Sequence, residues 1–232
     1  MAQGFGKRSF GPGGRYFNGF IKLNERALTL ETYLLNSHNH LTMKLQNNIA
    51  LKEWAVVLKA VEEGKQTILL RKGGIAEENG EFKPEHSEFF LYPTFEHENP
   101  QAIKPDWRPR LAAIEKENKD PKRIHFRLCA IADRVEKVTE WEVAKRLIPF
   151  TVMSDEAVEK RFNYGDWPGF YVFIIRAYSL AVPWDLPVKP AYEGCKSWVP
   201  LETSMFTAGS MAVLPEGVWP YTRDKISKVI HA

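Results

Sequence analysis

The sequence is short of cysteine, of long apolar runs and of net charge, and each shortage narrows what it can be. Its two cysteines, Cys129 and Cys195, stand 66 positions apart. They make neither a disulfide framework nor a zinc ligand set, and they fit a reducing cytoplasm. The longest stretch without a charged residue, Thr203–Pro215, is 13 residues long and carries Gly209 and Pro215. A bilayer-spanning helix needs about 20 apolar residues, so no membrane segment is expected. The first 20 residues hold no apolar block of the kind a secretory signal needs. No internal repeat is visible.

The net charge is only +3, and it belongs to the first 42 residues. There Lys7, Arg8, Arg15, Lys22 and Arg26 face Glu25 and Glu31, while the rest balances 27 basic against 27 acidic residues. Composition gives no support to a general polyanion-binding surface, although a neutral body can still carry a basic face. What the chain has in quantity is core material. At 44% hydrophobic and 26% charged, its 232 residues suffice for one packed domain and exclude wholesale disorder.

Six of the first 19 residues are glycine. Such a run loses too much backbone entropy on ordering to fold alone. Residues 1–42 therefore read as a flexible or weakly structured basic extension, with one short helix possible over Leu23–Leu35. The alternative is a basic, aromatic-spaced arm that touches nucleic acid. Residues 43–232 read as one globular domain. Its opening pattern, Ala50, Trp54, Val57, Leu58 and Val61, predicts a helix capped by Asn47 or Asn48 and ended at Gly64. Strands are predicted over Lys65–Arg71, Glu88–Tyr92, Arg123–Asp133 and Phe170–Leu180. Arg123–Asp133 alternates, with Ile124, Phe126, Leu128, Ala130 and Ala132 opposite Arg123, His125, Arg127 and Asp133. Short helices are predicted around Arg110–Asn118, after Ser154, and over Arg223–His231. Thr139–Leu147 suits strand or helix. The Pro- and Trp-rich stretch from Pro183 to Pro200 reads as ordered loop. The fold class is α+β: a small, mixed, mainly antiparallel sheet or partly open β-barrel with flanking helices.

Two stretches carry a resemblance: Ala50–Val57 leading to Leu69-Leu70-Arg71-Lys72-Gly73-Gly74-Ile75, and Glu85-His86 with Phe89 to Leu91-Tyr92-Pro93-Thr94. With Tyr192–Val199 they resemble the bacterial and cyanobacterial family catalogued as domain of unknown function 1802, over about Ile49–Leu201. That resemblance implies a nucleic-acid context, through members joined to restriction-endonuclease-like domains. The run Gly64-Lys65-Gln66-Thr67 to Arg71 is similar to the ASCH and PUA group of small β-barrels. There a Gly-Lys pair and a strand ending in Arg line a cleft facing RNA or nucleotide. This chain departs from the group in having no acidic residue just before Arg71.

Arg71-Lys72-Gly73-Gly74 puts two cations at a strand end, beside glycines that expose backbone N–H groups. A phosphate fits such a nest; the plain alternative is a solvated turn. Arg176 lies in a strand apolar on both faces, so its guanidinium is either paired internally or faces a cleft. Glu85 and His86 are candidates for acid–base or metal chemistry, and Glu96-His97-Glu98 sits too far along to share a ligand with them. Arg123, His125 and Arg127 share a strand face. That is a solvent face unless another layer covers it, when it becomes a phosphate-binding row. Trp107, Trp167, Trp184 and Trp198 serve either as aromatic walls for a base or as seals over the core. A hairpin joining Leu69–Arg71 to Phe89–Tyr92 would bring Arg71, Lys72 and His86 to one polar depression.

The function expected is a nucleic-acid or nucleotide/phosphate-binding module, linked to restriction or RNA processing, with Arg71, Lys72, Gly73, Gly74 and Arg176 as its phosphate site. The alternatives are a metal-dependent hydrolase using Glu85 and His86, and a protein-interaction module without a small ligand. A non-enzymatic role is favoured, with no cofactor and no metal site. The partner expected is nucleic acid or a phosphorylated ligand, met in the cytoplasm and away from membranes.

Overall fold

Ile49, Ala50 and Leu51 are apolar in succession, and a strand with neighbours on both sides buries such a run better than a helix does. In the computed structural model β1 accordingly runs over Gln46–Trp54. It pairs in parallel with β3 (Glu88–Thr94) and antiparallel with β6 (Trp198–Phe206). The structure describes residues 43–72, 82–95, 98–117 and 120–232. The readings of the first 42 residues, of Gly73 and Gly74 and of Glu96-His97 lie outside the described residues.

The expected helix from residue 47 is thus corrected: only its second half, α1 (Ala55–Glu62), is helical. Burial on both faces of the sheet overrides the helical spacing of Ala50 and Trp54. Gly64 follows at φ +66°, as the expected helix end requires. The remaining elements are β2 (Ile68–Arg71), α2 (Arg108–Glu117), β4 (Arg123–Val138), α3 (Trp141–Leu147), α4 (Asp155–Phe162), β5 (Phe170–Pro187), β7 (Met211–Ala212) and α5 (Trp219–Ile230). Ser154 caps α4 as read from the sequence, its hydroxyl accepting the Ala157 N–H at 3.3 Å.

The strands form one open, mostly antiparallel sheet of order β2-β5-β4-β3-β1-β6, with β7 also on β5. The expected hairpin between the strands ending at Arg71 and Tyr92 does not form. β2 pairs with β5, with Arg71 opposite Tyr171, and two strands separate it from β3. All four residues of β2 are buried. Such a strand needs a partner that is apolar on both faces, and Phe170–Ile175 supplies it. The loop predicted from Pro183 onward is corrected too, because β5 continues to Pro187. Pro183, which has no N–H to donate, falls where β5 leaves β4 unpaired, between Ser179 and Trp184.

Helices α1 and α2 cover one sheet face, over Leu51, Leu69, Phe89 and Phe173. On the opposite face α3, α4 and α5 pack over Ile68, Leu70 and Ile174. Where β1, β3, β4 and β6 curl, a third cluster gathers Phe90, Phe126, Tyr192 and Val199. β4 serves all three of these clusters, reaching the second through Val138. A bulge between Phe126 and Leu128 puts Ile124 and Phe126 in the third cluster but Leu128 and Ala130 in the first. The single apolar face read from the sequence is corrected accordingly, since one extra residue flips every side chain beyond it.

Candidate nucleic-acid interface

Arg71 ends β2 on the α1 side of the sheet and is buried. Its Nη1 donates to the Lys52 carbonyl at 2.9 Å and to the Glu53 carboxylate at 3.1 Å. The guanidinium also lies over the Phe82 ring, 5.4 Å from its centroid. Glu53 is 3% exposed, so this is a buried ion pair. Arg161 feels the same carboxylate, donates to the Leu70 carbonyl at 2.6 Å and stacks on Trp54 at 5.2 Å. Burial pushes the pKa of Arg161 down, and Glu53 counters that. Lys72 is a strut. Its Nζ donates to the carbonyls of Trp167 and, at 2.7 Å, Gly169, over the Trp167 ring at 3.8 Å. Gly169 itself, at φ +125°, leaves only 2.4 Å between a would-be Cβ and the Val138 carbonyl oxygen.

Arg176 is buried on the other sheet face, in register with Ile131, where it pairs with Glu216 and stacks on Tyr178 at 5.5 Å. The structure therefore does not bring Arg176 to Arg71. His86 lies before β3 and meets the edge of Trp198 at 5.0 Å. Rings run on from Trp198 through Phe82 and Tyr171 to Trp167. Arg71, Lys72 and His86 thus border one aromatic cluster, although not through a hairpin. Glu85 is exposed. No group of three His, Cys, Asp or Glu side chains able to hold a metal occurs among the described residues.

The row Arg123, His125, Arg127 has a different setting. It lines a cleft of about 820 Å³ bounded by β4, the end of β3, helices α1 and α2, and the segment from Val188 to Gly194. The second layer that would turn a solvent face into a phosphate row is α1, which brings Lys59 and Glu62. Cross-strand pairing orders one end: His125 Nδ1 meets the Asp185 carboxylate at 2.5 Å, and Arg123 donates to the Asp185 carbonyl at 2.9 Å. At the other end the Arg127 guanidinium stands 3.9 Å from Glu62, which binds Lys59 at 2.7 Å. Lys52 donates to the Gly194 carbonyl at 2.9 Å, over Tyr92. Four permanent cations, Lys52, Lys59, Arg123 and Arg127, thus share the cleft with Glu62, Glu117 and Glu193.

None of the four candidate tryptophans lines this cleft; its rings are Tyr92, Phe95 and Tyr192. Trp107 packs in the core beneath Arg110, and Trp184 meets Phe206. Lys52 and Asp185 were illegible as site residues because the sequence placed one in a helix and the other in a loop. Lys59 carried no signal beyond its place on α1. Two titrations are displaced. Burial lifts the Cys129 thiol to about 12, which removes it as a nucleophile. Burial also lifts the Glu98 carboxyl to about 7, although the Val56 N–H donates to it at 2.9 Å.

With that geometry in view, the profile of the family described as Domain of unknown function (DUF1802) matches residues 50–221. The chain belongs to this family. Among curated proteins none matches it. Among solved structures it is similar to an ASCH protein from Zymomonas mobilis, at 10% identity over 78% of this chain and 92% of that one, with a TM-score of 0.35. A single-residue variant of that protein gives 12% identity, 78% and 94% coverage, and a TM-score of 0.37. No helix among the described residues of this DUF1802 protein is long and apolar enough to cross a membrane.

Proposed function

We propose that this DUF1802 domain is a binding module for nucleic acid or a phosphorylated nucleotide, and that the cleft beside β4 is its ligand site. The observation that carries this reading is the row Arg123, His125, Arg127, which forms one wall of the cleft with Lys59 across from it. Arg71 and Arg176 are committed to carboxylates within the fold. Arg127 is 62% exposed, 3.9 Å from its nearest acid, and so stands ready for an incoming phosphate. An arginine grips a phosphate bidentately, and such charge-assisted contacts contribute about 1.5–3 kcal/mol each.

The test is a titration of a fluorescent oligonucleotide by anisotropy. Removing both guanidinia in Arg123→Ala/Arg127→Ala is expected to weaken binding more than tenfold. It should also lower the dependence of log affinity on log salt by about 1.4–1.8, as two phosphate contacts are lost. Equal affinity for the double variant and the native chain would overturn the assignment of the cleft. Absence of binding to any oligonucleotide or nucleotide would overturn the function.

A further inference from the structure

The cleft is not uniformly polar. Besides its charged groups, of which Arg123, His125 and Arg127 are exposed and Lys52 is buried, Leu58, Leu91, Ile114, Ile124 and Leu128 line it between α1, α2 and the sheet. A ligand that satisfies both parts presents an apolar face and a line of negative charge at once. At about 820 Å³ the space lies within the range of roughly 300–1,000 Å³ typical of small-ligand sites. It accepts a nucleobase with its sugar and is far too small for a duplex. Paired bases keep their faces inside the stack, so a double helix reaches only the rim.

The row also sets a spacing. Alternate residues of a strand project about 6.7 Å apart. This separates Arg123 from His125 by a distance comparable with the phosphate repeat of an extended single strand, and much wider than adjacent phosphates within a nucleoside polyphosphate. The bulge after Phe126 re-aims Arg127 toward α1, where it meets Glu62. Phe95, half-buried at the mouth, offers a ring for stacking, a contact that every base can make.

Resting on the reading of this cleft as the ligand site, we infer that its ligand is an unpaired nucleic-acid strand, with successive phosphates along Arg123, His125 and Arg127 and a base inserted over Ile114 and Leu128. The same chemistry is offered by RNA and by DNA, and separate arms identify the sugar. The probes are labelled single strands of about 12 nucleotides in each sugar, the matching blunt duplex, and a strand whose bases are removed while its phosphates remain. Adenosine triphosphate serves as competitor.

The native chain is expected to bind one or both single strands at least tenfold more tightly than the duplex or the abasic strand. Ile114→Ser, at a half-buried helix position, is expected to shrink that preference, because it removes apolar contact with the base without adding charge. The abasic comparison uses only the native chain, so it decides the matter even where the variant does not fold. Duplex and abasic strands that bind as tightly as the native single strands, still dependent on Arg123 and Arg127, would overturn the single-strand inference and leave the polyanion site standing. Displacement by adenosine triphosphate at concentrations below those of the single strand would replace the strand by a free nucleotide. Failure of every probe to bind removes the proposed function itself.

Discussion

Arg71 and Arg127 are both arginines carried by strands of one sheet, yet their surroundings give them opposite duties. Arg71 has a 3%-exposed carboxylate, a backbone carbonyl and an aromatic ring around its guanidinium. Arg127 extends from a bulge across open space to a carboxylate 3.9 Å away. A buried guanidinium whose partner is also buried is part of the fold, because releasing it to a ligand would strand the partner charge. An exposed one with a loose partner exchanges that partner for a phosphate at little cost. The lesson is that partners and burial, more than residue type, separate a strut from a ligand contact.

The largest effect that sharpens this contrast is on stability. Arg71→Ala leaves Glu53 buried without its main counter-charge, which costs about 3–5 kcal/mol. At about 2–4 °C per kcal/mol for a chain of this size, the melting temperature should fall by roughly 6–20 °C. Replacing the pair together by Arg71→Met/Glu53→Leu should recover much of that loss, since no charge is then left unpaired. A melting temperature unchanged by Arg71→Ala would break the comparison.

The row predicts the mirror image. Arg123→Ala/Arg127→Ala should weaken oligonucleotide binding more than tenfold, yet shift folding stability by only about 0.5 kcal/mol, because both side chains are exposed. Thermal melting and anisotropy on the same samples decide between the two roles. Loss of stability without loss of binding would make the row structural and reverse the assignment.

How much of this was legible depended on range. Local chemistry was readable: Ser154 as a cap, Gly64 as a helix end, and the alternation that exposes Arg123, His125 and Arg127. Each needs only a few neighbouring residues to be decided. Pairing was not readable, because Leu69–Arg71 carries no mark that favours a partner on β5 over one on β3. Tyr171, Val172 and Phe173, which do pair with it, simply belong to the longer apolar run. The site suffered in the same way. The cations flagged by sequence next to glycine proved to be fold contacts, and Lys59 and Asp185, drawn in by α1 and β5, had no local signature. The sequence leaves Arg176 open between an internal pair and a cleft residue; in the structure it pairs with the exposed Glu216.

A smaller effect tests burial without a cation. Glu98 holds the α1 end through the Val56 N–H, and burial lifts its pKa from 4.5 to about 7. A carboxyl whose folded pKa lies above its unfolded value binds protons more tightly when folded. Its contribution is therefore full below about pH 4.5 and is lost as pH rises through about 7. Glu98→Gln, which is neutral at every pH, should flatten the melting profile across that window and melt above the native chain at about pH 8. Parallel profiles for the two proteins would show that Glu98 titrates as an ordinary surface carboxyl.

The smallest effect concerns the third candidate cation, on the far side of the sheet. Arg176 has a side chain 6% exposed, but its partner Glu216 is 59% exposed. The pair is thus half in water, unlike Arg71 with Glu53. Removing the exposed member leaves a buried guanidinium that still lies over Tyr178 at 5.5 Å. Solvent screens the lost charge, so Glu216→Gln should cost only about 0–1 kcal/mol and move the melting temperature by no more than about 4 °C. Oligonucleotide binding should not change, because Arg176 and the cleft row do not meet. A fall as large as that of Arg71→Ala would mean that a buried cation, whatever the exposure of its partner, governs the cost, and partner burial would lose its place as the criterion that separates the two regions.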